Sequence, residues 1–206
     1  MARDDWFRNA DWDAAIEEAF FVKLRRARDK AQYLRIQACT LAQRHPKIAL
    51  RLLDQYFNLG QHFDYAQAHV DRASAHLALG DVLQAINSYE AALAFEDQRP
   101  NFKTQAYLDL PFVVASHGIK VRYDQAFHLL QQHRSRLAFP VDHFRWHAAY
   151  ALMSLDLDRP AAAREHAQNA LEAAVKDHSG FRYHPSIGLV GKSYENIRFK
   201  LSAAVA

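Results

Sequence analysis

A chain of 206 residues in which half the side chains are apolar, with only six glycines and six prolines, can bury a continuous core. That composition excludes a disordered or low-complexity chain. A formal net charge of +3 admits a weakly basic surface but not a strongly cationic one, and the single cysteine excludes an internal disulfide. No apolar run reaches the roughly 18 to 20 residues that a membrane-spanning helix needs, and the opening MARDDWFRNADWD is too polar and acidic for a secretory signal. The expected location is therefore cytoplasmic.

The first predicted element covers 11–28, DWDAAIEEAFFVKLRRAR. Trp12, Ile16, Ala19, Phe20 and Leu24 fall on one helical stripe, with acids in the first turns and bases in the last, as the helix dipole prefers. It reads as an N-terminal capping helix. Cys39 follows inside an apolar helical pattern and reads as a buried packing residue. Val70 to Leu93 then reads as two helices folded back to back: Ala73, Leu77 and Leu79 precede Gly80, while Ala85, Ile86, Tyr89, Ala92 and Leu93 follow it at intervals of three and four. Gly80 supplies a positive φ and Asp81 caps the second helix, so the product is an antiparallel hairpin.

The triplet Ala85, Tyr89, Ala92 returns as Ala49, Leu53, Tyr56, as Ala126, Leu130, His133 and as Ala163, Ala167, Ala170, with the leading alanines 36, 41 and 37 residues apart. The third unit departs from the rest. Its turn is enlarged by about three residues of IKVRY, and Pro111 inside AYLDLPFVVA predicts a kinked helix, the alternative being a shorter helix that starts at this proline. After the fourth unit, the segment from His178 has glycine and proline breaks before a last amphipathic helix through Tyr194, Ile197, Phe199 and Leu201, which covers the final hairpin. The alternative for Tyr183 to Val190 is an extended run filling a groove in cis.

These spacings resemble the tetratricopeptide repeat family, over residues 30–176. The aromatic that opens the family's first helix corresponds here to Tyr33, His69, Tyr107 and His147, and the tyrosine near its end to Thr40, His76, His117 and Ser154. The resemblance implies an all-α fold: a right-handed superhelical stack of about four helical hairpins with capping helices at both ends, forming one α-solenoid domain over 1–206. It also implies a concave face made by the first helices, mapped onto Leu34, Ala38 and Leu41, then Gln67, Val70 and Ser74, then Arg145, Ala148 and Leu152. Gln67, Val70, Ser74, Arg145, Ala148 and Leu152 are the expected partner-binding residues. The family's carboxylate clamp is missing, since Leu34, Ala38 and Asp71 stand at its positions, so a folded protein or an apolar helix is expected in place of a chaperone tail.

Other chemistry finds little support in the residues. His143 and His147 share a helix face at a zinc-compatible spacing, but no third ligand lies nearby and no H-E-x-x-H motif occurs. No phosphate-binding glycine loop and no nucleophile elbow is present, and HPSIGLVGK lacks the preceding strand that a nucleotide loop requires. No metal or other cofactor is expected. Of two basic clusters, Lys23 to Lys30 and Arg182 to Lys200, neither is decisive and the first reads as a solvated helix end, which leaves nucleic acid an unfavoured partner. The expected function is a non-catalytic protein-binding scaffold or adaptor. The rivals are a cytosolic inhibitor or immunity-type protein that masks an enzyme, and an RNA-associated protein using the basic ends; a second copy of the chain is a further candidate partner.

Overall fold

The computed structural model describes residues 5–205, and among them all regular secondary structure is helical, with no strand. The chain divides into two compact units, Met1–Ala106 and Tyr107–Ala206. The expectation of one continuous domain has no boundary there. The first unit holds α1 (Ala14–Arg26), α2 (Lys30–Leu41), α3 (Pro46–Asn58), α4 (Tyr65–Ala78) and α5 (Val82–Gln98). The second holds α7 (Tyr123–Gln132), α8 (Pro140–Asp156), α9 (Pro160–Ala174) and α10 (Glu195–Val205), while α6 (Ala106–Ser116) begins at the boundary.

In the first unit α2 pairs with α3 and α4 with α5, and α3 also packs on α4. The alanine ruler explains the close approach. Ala49, Ala73, Ala85 and Ala92 have no exposed surface, and neither do Leu53 and Tyr56. Small side chains let the backbones near one another while the larger ones fill the space between. Gly80 has φ +77° and ends α4, and the Asp81 carboxylate accepts from the Gln84 N–H. Leu79, expected on the buried face, instead stands exposed at the end of α4, because the chain is already turning there. Before α1, Asn9 is clasped to the fully buried Gln37: its backbone N–H and side-chain amide both donate to Gln37 Oε1 at 3.0 Å, and Gln37 Nε2 returns a bond to the Asn9 carbonyl. The helix α1 is capped by Asp13 and buries Phe20 and Leu24. Ala19 of the expected stripe is exposed.

In the second unit α8 pairs with α9 across Ala148, Ala149, Ala163, Ala167 and Ala170, all without exposed surface, and α10 lies on α9. The buried residues of α6 and α7 include Tyr107, Leu110, Val114, Tyr123 and Leu130. The helix α6 continues through Pro111, which forfeits one backbone hydrogen bond, that to Tyr107.

The segment between α9 and α10 is coiled in turns, not extended, and it is fastened to the start of α8. The Val141 N–H, one of the N-terminal donors of α8 without a partner in its own helix, donates to the Gly188 carbonyl at 2.8 Å. Gly188 has φ +66°, and a Cβ there would meet Phe139 at 2.5 Å. Phe139 also stacks on Phe181, with ring centroids 5.2 Å apart. In α10, Leu201 is fully buried, but Phe199 points outward and is 79% exposed, so it does not belong to the packing stripe expected of it.

Candidate functional site

The first unit carries a groove made of three hollows that share walls. One, of about 710 Å³, lies between Ala27–Ala31, Leu59 and His62. A second, of about 200 Å³, reuses Asp29, Ala31 and His62 and ends at Phe63 and Asp64. The third, of about 280 Å³, continues from Phe63 and Asp64 past Ala66 and Gln67 to the loop 101–104. Phe63 forms the ridge between the last two and is 81% exposed. Its ring meets Phe102 edge-on at 5.1 Å, and Phe102 leads through Phe95 to the inner ring of Tyr65.

A polar network fixes the floor. Arg35 on α2 donates from Nε to Asp64 and from Nη1 to Asp71 at 2.9 Å. The Tyr56 hydroxyl donates to the other oxygen of Asp64 at 2.8 Å, and Gln67 Nε2 donates to Asp71 at 3.1 Å. Asp64 precedes α4, where an aspartate commonly caps the helix, yet its side chain makes no such bond. Arg35 and Tyr56 claim it instead. Burial pushes the Asp71 carboxyl up, and Arg35 and Gln67 pull against that. Burial and the bond to Asp64 raise the Tyr56 hydroxyl, which therefore stays a donor.

The wall beyond Phe63 is fixed as firmly. The buried Glu96 carboxylate accepts from the Thr104 N–H at 2.8 Å and from its hydroxyl at 2.5 Å, and Thr104 Oγ1 accepts from the Ala106 N–H. This latch holds the loop carrying Phe102 and Lys103. Cys39, expected to be buried, is exposed on α2. Partial desolvation by its helical surroundings and the nearby Asp71 push its thiol up to about 11, so it is a poor thiolate.

The six residues expected at the partner face fall in different units. Gln67 lines the third hollow. Val70 is buried, and the half-buried Ser74 hydroxyl is spent on the Val70 carbonyl at 3.2 Å. In the second unit Ala148 has no exposed surface. Arg145 donates to Asp109 at 2.5 Å and lies over the Phe112 ring at 5.0 Å. Leu152 opens on a separate cleft of about 460 Å³, between α8 and α10, beside Leu155 and the outward-facing Phe199. Val70 and Ala148 thus serve the core, and Arg145 holds α6 to α8. The sequence reading missed Arg35, Phe63, Phe102 and Lys103. The one available signal was a large aromatic in the polar loop GQHFDY, where helical periodicity assigns no face.

His147, read beside His143, makes its contact with His166 on α9, Nδ1 to Nδ1 at 2.9 Å, so one ring donates and the other accepts. Burial, with His166 and other cationic neighbours, pulls His147 down to about 4. Among the described residues no group of three or more His, Cys, Asp or Glu side chains is placed to hold a metal ion. Nor is any helix among them long and apolar enough to cross a membrane. Compared with models of known protein families, with curated proteins and with solved structures, the chain matches none.

Proposed function

We propose that the chain is a non-catalytic protein-binding module built from tetratricopeptide-like helical pairs, acting as a cytoplasmic scaffold or adaptor. The observation that carries this reading is the groove of the first unit. A phenylalanine left 81% exposed stands between two hollows, on a floor and wall already locked by buried ion pairs and hydrogen bonds. An exposed aromatic side chain beside preformed hollows suits a partner-binding surface, because a rigid aromatic anchor adds contact area at little conformational cost. The expected face shifts accordingly: Gln67 remains in it, Val70 is buried with Ser74 bonded to its carbonyl, and Arg145, Ala148 and Leu152 belong to the second unit. Inhibitor and adaptor roles would use the same groove and differ in the partner.

The test is affinity capture by the tagged full chain from its native lysate, with and without nuclease, beside Phe63→Ala. A defined protein retained by the wild type after nuclease and lost with Phe63→Ala supports the reading. Retention that is indifferent to Phe63, or that vanishes with nuclease, refutes it.

A further inference from the structure

We infer that the groove of the first unit takes a short acidic peptide segment anchored by an aromatic or aliphatic side chain at Phe63; this rests on the binding-module reading. Charge points that way. Arg28 and Lys30 border the first hollow and Lys103 the third; all three are exposed, and none has an ion-pair or hydrogen-bond partner among the described residues. The two carboxylates in the groove are already engaged. Asp29 accepts from the Gln32 N–H at the start of α2, and Asp64 is held by Arg35 and Tyr56. Asp29 and Asp64 keep their charge while so engaged, and three cations against these two carboxylates leave the groove lining with a small net positive charge and an apolar ridge at its middle.

The start of α4 adds no further positive field, because the Asp64 carboxylate already stands at its cap position; Ala66 and Gln67 of its first turn line the third hollow. A peptide fits better than a nucleic acid because Asp29 and Asp64 sit among the cations. Carboxylates on a peptide can be spaced to avoid them, whereas a phosphate backbone brings charge at every step and usually draws on several cationic contacts.

The experiment pans a display library of random peptides, about twelve residues long, against the immobilised full chain at about 0.15 M salt. Enriched peptides are then fluorescein-labelled and titrated against the wild type, Phe63→Ala, the double variant Lys30→Glu/Lys103→Glu and, as a control in the second unit, Lys192→Glu. The expected result is enrichment of Asp- and Glu-rich peptides carrying an aromatic residue or leucine. Their affinity should fall by about tenfold or more in both groove variants, weaken with salt, and stay unchanged in the control. Enriched peptides that need Phe63 but ignore the charge reversals would overturn the acidic assignment and leave the binding-module reading standing. Peptides insensitive to every groove variant, or no enrichment at all, would overturn the groove as the site. Tighter binding of an oligouridine probe than of any enriched peptide, lost in the same variants, would overturn the peptide in favour of RNA.

Discussion

Arg145→Ala should loosen the second unit without touching any partner surface. Arg145 and Asp109 retain side-chain exposures of only 17% and 14%, so the pair lies between two known limits. Removing one partner of a dry pair costs about 3–5 kcal/mol, and a solvated pair is worth about 0–1 kcal/mol. An intermediate figure of about 2–3 kcal/mol follows. Loss of the guanidinium from the Phe112 face adds about 0.5–1 kcal/mol. The sum, about 3 kcal/mol, is roughly a hundredfold in an opening equilibrium. Hydrogen exchange read by mass spectrometry on α6 and α8 measures it directly, with the double variant Asp109→Leu/Arg145→Met as the partner experiment. The double variant should recover most of the loss, because no buried charge is then left alone. Burial already pushes the Asp109 carboxyl up against the pull of Arg145. Without Arg145, the folded state holds a proton that the unfolded state releases, so the penalty should shrink as pH falls and grow as it rises. Wild-type exchange in Arg145→Ala, or a double variant as loose as the single, would refute the reasoning. The prediction also disqualifies Arg145→Glu as a probe of partner docking, since it sets a second carboxylate against Asp109.

Gly188→Ala should release the turn segment from α8: the added Cβ meets Phe139 at 2.5 Å and a φ of +66° strains any L side chain, for a combined cost of about 2–5 kcal/mol. Faster tryptic cleavage after Arg182 would report it, and unchanged cleavage would contradict it. The packing of α8 on α9 should be acid-labile. His147 titrates near 4 in the fold and near 6.5 unfolded, so its contribution is complete above pH 6.5 and is lost as pH falls toward 4. Protonation there puts a charge into a desolvated site and also sets His147 against His166, His143 and Arg134. The full difference is worth at most about 3 kcal/mol, and part exposure brings it to about 1–2 kcal/mol. A thermal midpoint that falls between pH 7 and 4.5, and falls less in His166→Phe, is the expected outcome; identical profiles would reject the pair as the cause. Tyr56→Phe removes a charge-assisted bond to Asp64 at 2.8 Å and should cost about 1.5–3 kcal/mol in urea unfolding; an unshifted midpoint would mean that Arg35 alone satisfies Asp64.

The parts of this molecule that were legible are those governed by periodicity. Alanine spacing located the α2–α3, α4–α5 and α8–α9 pairs, and eleven of the twelve ruler positions are buried, with His133 alone half-exposed at the end of α7. Gly80 and Asp81 announced their turn because backbone freedom and a capping carboxylate are local properties. What resisted reading depends on distant partners. Nothing in the spacing of Arg35 says that it will take Asp64 and Asp71, and the His143–His147 interval concealed the His147–His166 contact between helices. Cys39 and Phe199 show the limit of apolar patterning: an apolar residue in a helical stripe is buried only where another element arrives to cover it. The groove itself was invisible for the same reason, since Phe63 and Phe102 come from loops 39 residues apart, where no period applies.

If the groove takes a ligand as proposed, the Glu96–Thr104 latch bears on how fast, as well as whether, it is held. A loop fastened from beneath by a buried carboxylate has little freedom left to lose when something settles against Phe102 and Lys103. Ordering a mobile side chain in an interface costs about 0.5–1.5 kcal/mol, and the latch lets the groove avoid part of that for its far wall. Association should then follow a single step whose rate is set by encounter and salt, with no slow phase of loop closure. Lifetime of the complex would be decided chiefly at Phe63, which is more exposed than Leu59, the other large apolar side chain left open in the groove.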